Sequence, residues 1–382
     1  MLRVQILTTF LLLIFTASAL AQSENRFAIK GNITESENGE PMPFASVFLS
    51  STTYGTVSDT EGNFNLEVTQ PGTYDLIIKF AGYKTFVRSV KLFNTPVLEI
   101  DVVLAPDVRM LGEVTVTAEK DELWRRNLED FKKGFLGTSE FAQECKILNE
   151  EEIDFYFDKE NNIYETYARE PLIIENKALG YKIKYILEDY KVYMSENYVR
   201  FYGFPVFEEL NERRKPKKKW LENRKLAQNG SIDHFFSALY NNTLKAEWYE
   251  VHPAKDVDGN RYLDKNEMDL YQLVEAGSTP NSKKLVFEDI LYVTYLNEAL
   301  PASYLLTRES RFIKRSSDVE DYGGKEQVSQ MFMFEEKTFI EFEKNGYVIN
   351  PLDYLVSGFW GFERVGDMMP IDYRNTDIED KK

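Results

Sequence analysis

From residue 29 to residue 104 the chain is written in short runs in which every second residue is apolar. Phe64, Leu66 and Val68 alternate with Asn65, Glu67 and Thr69, the period-2 signature of a strand with one buried face. Ahead of them Asp59 and Gly62 carry turn chemistry, so residues 56–66 are expected to form a hairpin. Pro71 and Gly72 turn the chain into Tyr74, Leu76, Ile78 and Phe80, again alternating. Gly82 and Tyr83 turn it into residues 86–90, and residues 97–104 close the series. About six or seven short strands in roughly 80 residues, separated by turn signals, predict an all-β sandwich.

Beyond residue 120 the period changes. Trp124, Leu128, Phe131 and Phe135 recur at helical spacing, which predicts an amphipathic helix over residues 121–143, with Gly134 and Gly137 weakening its last turns. Strand-like runs follow at 153–157, 163–168 and 172–174. Tyr181, Ile183, Tyr185 and Leu187 then alternate, and residues 191–202 end an antiparallel meander with one solvated face. A helix is expected over 231–240 with Ser231 as its N-cap, then strands near 248–253, 285–287, 290–296, 331–334 and 338–342. Asn345-Gly346 marks a tight hairpin, and the aromatic stretch 350–364 should pack down. The expected class is therefore mainly β and α+β: an N-terminal sandwich over 27–106, a linker over 107–120, and an α+β domain with an antiparallel sheet over 121–375.

The termini and composition add a compartment. Residues 1–21 read as a secretory signal, with Arg3, an apolar run over 6–15 and Ala19-Leu20-Ala21 ahead of Gln22. The run is too short to span a bilayer, and no Cys follows it to carry a lipid. An exported protein of the periplasm or outer-membrane surface of a Gram-negative bacterium is expected, without a transmembrane segment once the signal is removed. Cys145 is the only cysteine, so the core must hold without a disulfide. A net charge of −17 disfavours nucleic acid. The 23 tyrosines and 27 phenylalanines suit strand faces, and also a stacking surface for sugars or peptides.

Gly31 with Pro41, the Ala45-Ser46-Val47 strand, Gly55-Thr56, Ser58-Asp59, Gly62, Phe64, Gly72, Tyr74 and Gly82-Tyr83 together resemble the carboxypeptidase regulatory-domain-like family. The resemblance implies a transthyretin-like, Greek-key sandwich over about 27–106, with Ser58 where Thr is more usual. In metallocarboxypeptidases this module is an appendage, and a separate domain holds the zinc. The chain has only two histidines, His234 and His252, and neither opens a zinc-hydrolase motif. Residues 111–118 resemble the segment that follows the same sandwich in TonB-dependent outer-membrane receptors, although charged helical segments, not barrel strands, come next. Residues 135–139, 145–149, 171–176 and 179–181 resemble a domain that accompanies the sandwich in exported proteins of Bacteroidetes-like bacteria, which implies no catalytic residues.

Candidate chemistry is sparse. Arg213, Arg214, Lys215, Lys217, Lys218 and Lys219, extended by Arg224 into a helix, break the acidic background and form a candidate patch for an anionic envelope partner or glycan. Asp256, Asp258, Asn260, Asp264 and Glu267 fall at calcium-hand positions, but Arg261 stands where the loop needs Gly. A β-hairpin turning at residues 258–260 is the better expectation. Ser231 and His234 put a hydroxyl near a base with nothing to orient them. No catalytic residue, metal or cofactor is assigned. The expected function is a non-catalytic envelope protein with a binding or structural sandwich. The alternatives are a glycan-active hydrolase in the C-terminal domain and an accessory component of a TonB-dependent uptake system.

Overall fold

The structure, a computed structural model, describes residues 26–107, 122–196, 198–211, 215–257, 260–288, 290–307 and 326–373, without the side chains of residues 256–261. The expected signal, the receptor-like segment 111–118, Arg213 and Arg214 lie outside the described residues.

Eight strands build the N-terminal unit: β1 (Phe27–Glu35), β2 (Ser46–Leu49), β3 (Gly55–Val57), β4 (Asn63–Val68), β5 (Gly72–Lys79), β6 (Phe86–Leu92), β7 (Val97–Glu99) and β8 (Val102–Leu104). They form two sheets, β4-β1-β7 with β8 also on β1, and β3-β2-β5-β6. The inward residues of both, among them Ile29, Ile33, Val47, Leu66, Leu76 and Ile78, make one core. Residues 56–66 do not form the expected hairpin. Its turn is present: the Asp59 carboxylate accepts from the amides of Glu61 and Asn63 at 2.9 and 2.8 Å, and Gly62 has φ +78°. But β3 pairs with β2 and β4 pairs with β1, so the turn is a corner between sheets. Ser58 holds that corner, donating to the Met42 carbonyl at 2.6 Å and accepting from the Ala45 amide at 2.8 Å.

The next unit opens with α1 (Glu122–Phe135), which buries Leu128, Phe131 and Phe135. It stops at Phe135, eight residues short of the expected end, where Gly137 takes φ +96°. Strands β9 (Cys145–Ile147), β10 (Ile153–Asp158), β11 (Ile163–Ala168), β12 (Leu172–Asn176), β13 (Tyr181–Tyr193) and β14 (Tyr198–Glu209) follow. Long β13 takes β12 and β11 along one edge and β14 along the other. Helix α1 covers one face, Phe131 meeting Tyr190 at 4.8 Å and Phe135 meeting Tyr185 at 4.9 Å between ring centroids.

A further core lies beyond. Helices α2 (Lys218–Gln228) and α3 (Ile232–Asn241) lead into β15 (Tyr249–Val257), β16 (Asn260–Leu263), β17 (Val274–Ala276), β18 (Ser282–Val286), β19 (Ile290–Ala299), β20 (Glu326–Met333), β21 (Phe339–Glu343) and β22 (Tyr354–Gly358). The sheets β16-β15-β19-β20-β22 and β17-β18-β21 share a core with Phe235, Phe236 and Leu239 of α3. The region after residue 121 is thus mainly antiparallel β with few helices, in keeping with the expected α+β class, and its described residues build three sheets and two main cores.

Its end returns to the sandwich. The Ile371 amide donates to the Ser51 carbonyl at 2.9 Å, and Asp372 accepts from the Thr53 amide at 3.0 Å. Ser51 and Thr52 also exchange backbone bonds with Pro205 and Phe207 of β14, at 2.7 and 2.9 Å. This contact explains β5. Its alternation predicts Ile77 on the solvent face, yet Ile77 is fully buried, because it packs with Phe48 against Ile186, Phe204 and Val206.

Candidate functional site

Among the described residues, the sheet face touched by Phe48 and Ile77 is only half covered, and its open half is the candidate site. A bulge between Leu187 and Asp189 resets the alternation of β13. Lys182, Lys184 and Ile186 before it and Asp189, Lys191 and Tyr193 after it therefore share one face. On β14 that face carries Val206, Phe204, Tyr202, Arg200 and Tyr198, while Phe207, Phe201 and Val199 turn toward α1. Phe204 and Val206 lie under the sandwich, with Tyr202 at the border.

Register aligns the open half into rows across four strands. One runs Tyr156, Glu165, Lys191, Arg200, and the next Asp158, Ile163, Tyr193, Tyr198. In a third, Asp154 stands opposite Tyr167 and Asp189 opposite Tyr202. The charges interlock in alternating sign. Lys191 Nζ lies 3.5 Å from Glu165 and 3.4 Å from Asp189, and Arg200 Nη2 lies 3.1 Å from Asp189. The Tyr167 hydroxyl donates to Glu165, Tyr193 stacks on Tyr198 at 4.5 Å, and the Arg200 guanidinium sits 5.9 Å over Tyr193. On β10 and β11, Tyr156 and Tyr167 stay 58% and 52% exposed.

Electrostatics act on three groups of this face. Desolvation opposes the charge on Lys191, but Asp189 and Glu165 outweigh it and raise its pKa. Burial, then the bond to Glu165, pushes the Tyr167 hydroxyl up to about 12, and burial followed by Asp75 pushes Tyr202 to about 12. The Tyr167 and Tyr202 hydroxyls therefore stay neutral at ordinary pH. The face offers aromatic rings, hydroxyls and mutually paired charges.

The basic residues singled out in the sequence divide. Lys215, Lys217, Lys218 and Lys219 are exposed at the start of α2. Lys217 sits 4.7 Å over the Trp220 ring, Lys218 lies 3.5 Å from Glu222, and Lys219 lies 3.1 Å from Glu144. Arg224 is turned inward and does not join them. It is 2% exposed, bonds both Glu209 oxygens at 2.8 and 2.7 Å, donates to the Leu179 carbonyl at 2.8 Å, and stacks 3.9 Å over Tyr181. The spacing Trp220, Arg224, Ala227 is the i, i+4, i+7 stripe of a buried helix face, a signal present in the sequence.

Ser231 and His234 are not assembled for catalysis. The Ser231 hydroxyl accepts from the His234 amide at 3.2 Å as the N-cap of α3. His234 Nδ1 accepts from the Gly230 amide at 3.1 Å and meets the Tyr249 hydroxyl at 3.0 Å, while Nε2 lies 3.4 Å from Glu247. An orienting acid therefore exists, Glu247, which sequence reasoning did not supply. The ring nitrogen that would need to face a nucleophile faces the backbone and a buried phenol instead. Burial lowers the His234 pKa against the pull of Glu247. Cys145 is equally quiet, its thiol pushed up to about 12 by burial and then by Asp367 and Glu144.

In the calcium-hand stretch, Val257 pairs with Asn260, so β15 and β16 form a hairpin whose two loop residues lie outside the described set. Among the described residues, no three or more His, Cys, Asp or Glu side chains group to hold a metal, and no helix is long and apolar enough to cross a membrane.

The TonB-dependent receptor P3 of Formosa agariphila is 34% identical over 111 residues, 29% of this chain and 10% of the receptor. The chain thus spans about a tenth of the length of the curated relative it matches. Among solved structures, 3-chlorocatechol 1,2-dioxygenase from Rhodococcus opacus is similar at 9% identity and a TM-score of 0.19, covering 23% of this chain and 62% of that one. A DUF3823 family protein from Bacteroides ovatus is similar at 8% identity and a TM-score of 0.18, covering 49% and 82%. Residues 29–116 match the family model of the CarboxypepD_reg-like domain, and the N-terminal sandwich carries that domain.

Proposed function

We propose that the protein is a non-catalytic binding component of the bacterial cell envelope, exported by residues 1–21, in which the CarboxypepD_reg-like domain braces the binding sheet. The observation that carries this reading is the half-covered face of β13 and β14. The sandwich seals one half with Phe48 and Ile77, and among the described residues the other half is left open with its tyrosines and charges paired. A fixed open face suits holding a partner, whereas hydrolysis requires a nucleophile or a pair of carboxylates enclosing a substrate. The likeness to part of a TonB-dependent receptor supports a place in the envelope, including an accessory role beside such a receptor. Lys215, Lys217, Lys218 and Lys219 are the proposed contact for an anionic group on the partner.

The test is a pull-down of the mature chain, residues 22–382, from envelope extracts over a range of salt concentrations. A partner recovered by the natural chain and lost with Tyr156→Ala/Tyr167→Ala is the expected result. Recovery of nothing at any salt concentration overturns the reading.

A further inference from the structure

We infer that the open half of the β13–β14 face binds an uncharged polysaccharide chain. The inference rests on the binding reading above and narrows it to one ligand class. Three properties of the face select that class.

The first is size. Three strand spacings of about 4.8 Å and four residue rises of about 3.4 Å give a patch on the order of 14 by 14 Å, roughly 200 Å². A stable protein–protein interface takes about 800 Å² from each partner, so this face is too small to hold a folded protein alone. A few linked sugar rings match it.

The second is the kind of surface. The exposed Tyr156 and Tyr167 rings, flanking fixed carboxylates and a guanidinium, suit the two halves of a sugar. Its C–H face stacks on an aromatic ring, and its hydroxyls donate to carboxylates and accept from Arg. An acyl chain would need aliphatic surface. An extended peptide would add at a sheet edge, where free backbone groups lie, and not on a face.

The third is charge. Glu165, Lys191, Asp189 and Arg200 neutralise one another in sequence, and Asp154 and Asp158 lie on the outer strand. With these two further carboxylates beside the neutralised set, a polyanion is repelled from this face and an uncharged chain is not. The face is also continuous with the sandwich junction, where Tyr202 borders the buried Phe48 and Ile77. The platform is therefore held from behind by α1 and at its end by the sandwich.

Affinity gel electrophoresis of the mature chain tests this. The gels carry a soluble β-1,3-glucan, a galactomannan, a xylan or, as the charged comparison, polygalacturonate. Retardation by at least one neutral polysaccharide, insensitive to salt, is expected. Tyr156→Ala/Tyr167→Ala should weaken it about tenfold or more. Tyr262→Ala removes a tyrosine 60% exposed on another sheet and should leave retardation unchanged. Both altered positions are exposed, and an unchanged melting temperature shows that the double variant folds. Retardation by polygalacturonate alone, by none of the four, or equally in the double variant overturns the inference. If the double variant still loses its envelope partner while no neutral polysaccharide retards the natural chain, the saccharide class falls and the binding reading stands.

Discussion

The Thr73 amide of β5 donates a 2.8 Å hydrogen bond to the Glu343 carboxylate at the end of β21, tying the sandwich to the C-terminal core through a buried acid. The second Glu343 oxygen, Oε1, has no hydrogen-bond partner among the described residues. Desolvation raises the Glu343 pKa despite the Thr73 bond. Nearby Asp75, which accepts from the Tyr347 hydroxyl at 3.0 Å, is raised by desolvation as well.

Mild acid should therefore strengthen the molecule. A carboxyl whose folded pKa is raised binds more protons folded than unfolded, so its contribution falls as pH climbs from the ordinary carboxylate range through the folded pKa. Glu343, Asp75, Asp233 at about 6 and Asp367 at about 7 all act in this direction, each chiefly through burial. His234, lowered by burial, acts oppositely, losing stability below the ordinary histidine range. Asp59, Asp158 and Glu341 are lowered, so their contribution disappears in stronger acid. The melting temperature should rise from pH 8 to about pH 5.5 and fall below about pH 4. In Glu343→Gln the rise should be smaller, because the amide keeps an acceptor for Thr73 and cannot ionise. A flat profile in the natural chain would remove the junction acids from the account.

Arg224 should matter for stability and not for capture of anions. Replacing it with Met leaves Glu209 without its bidentate partner and strips a donor from the Leu179 carbonyl. Glu209 keeps about a third of its side chain in water, so the loss is placed at about 2–3 kcal/mol rather than the full cost of a buried broken pair. Arg224→Lys should fall between, since an ammonium keeps the charge but neither the fork nor the stacking on Tyr181. Urea unfolding measures both. Charge removal at Lys215 and Lys218 should change stability by less than about 0.5 kcal/mol.

Ser58 makes a similar case within the sandwich. Its hydroxyl is the bond seen for the buried Ala45 amide and Met42 carbonyl, and Ser58→Ala leaves both unpaired, at about 1–3 kcal/mol. Ser58→Thr keeps the hydroxyl and should stay within about 1 kcal/mol of the natural chain.

These residues also show where sequence reading holds and where it stops. Local chemistry was legible. The Asp59 and Gly62 turn, the Ser231 cap and the apolar stripe of α1 all lie where residue type and spacing place them. Partner choice was not. Nothing between residues 56 and 66 says that β3 and β4 join different sheets, because both sheets offer the same alternating face. The candidate face was hidden for the same reason. Glu165, Lys191 and Arg200 come from three strands and meet only through register, and the β13 bulge that puts Asp189 beside them leaves no pattern a periodicity count detects. Residues 203–209 also escaped notice as strand, since Pro205 and Gly203 interrupt the propensity while the β13 edge supplies the pairing.

The corner turn gives the last prediction, because it separates two costs that usually arrive together. Gly62 and Gly39 both sit at positive φ, +78° and +70°. A Cβ on Gly62 would lie 2.5 Å from the Ile33 carbonyl oxygen, whereas around Gly39 nothing lies within 4 Å. Gly39→Ala should therefore lose only the left-handed backbone penalty, about 1–2 kcal/mol. Gly62→Ala adds a collision with strand backbone that cannot swing away, and should lose about 3–4 kcal/mol. It should also loosen the Asp59 turn, seen as faster exchange of the Glu61 and Asn63 amides that Asp59 now holds. Equal losses in urea unfolding would mean that the corner yields, and that the two sheets are not held together at Gly62.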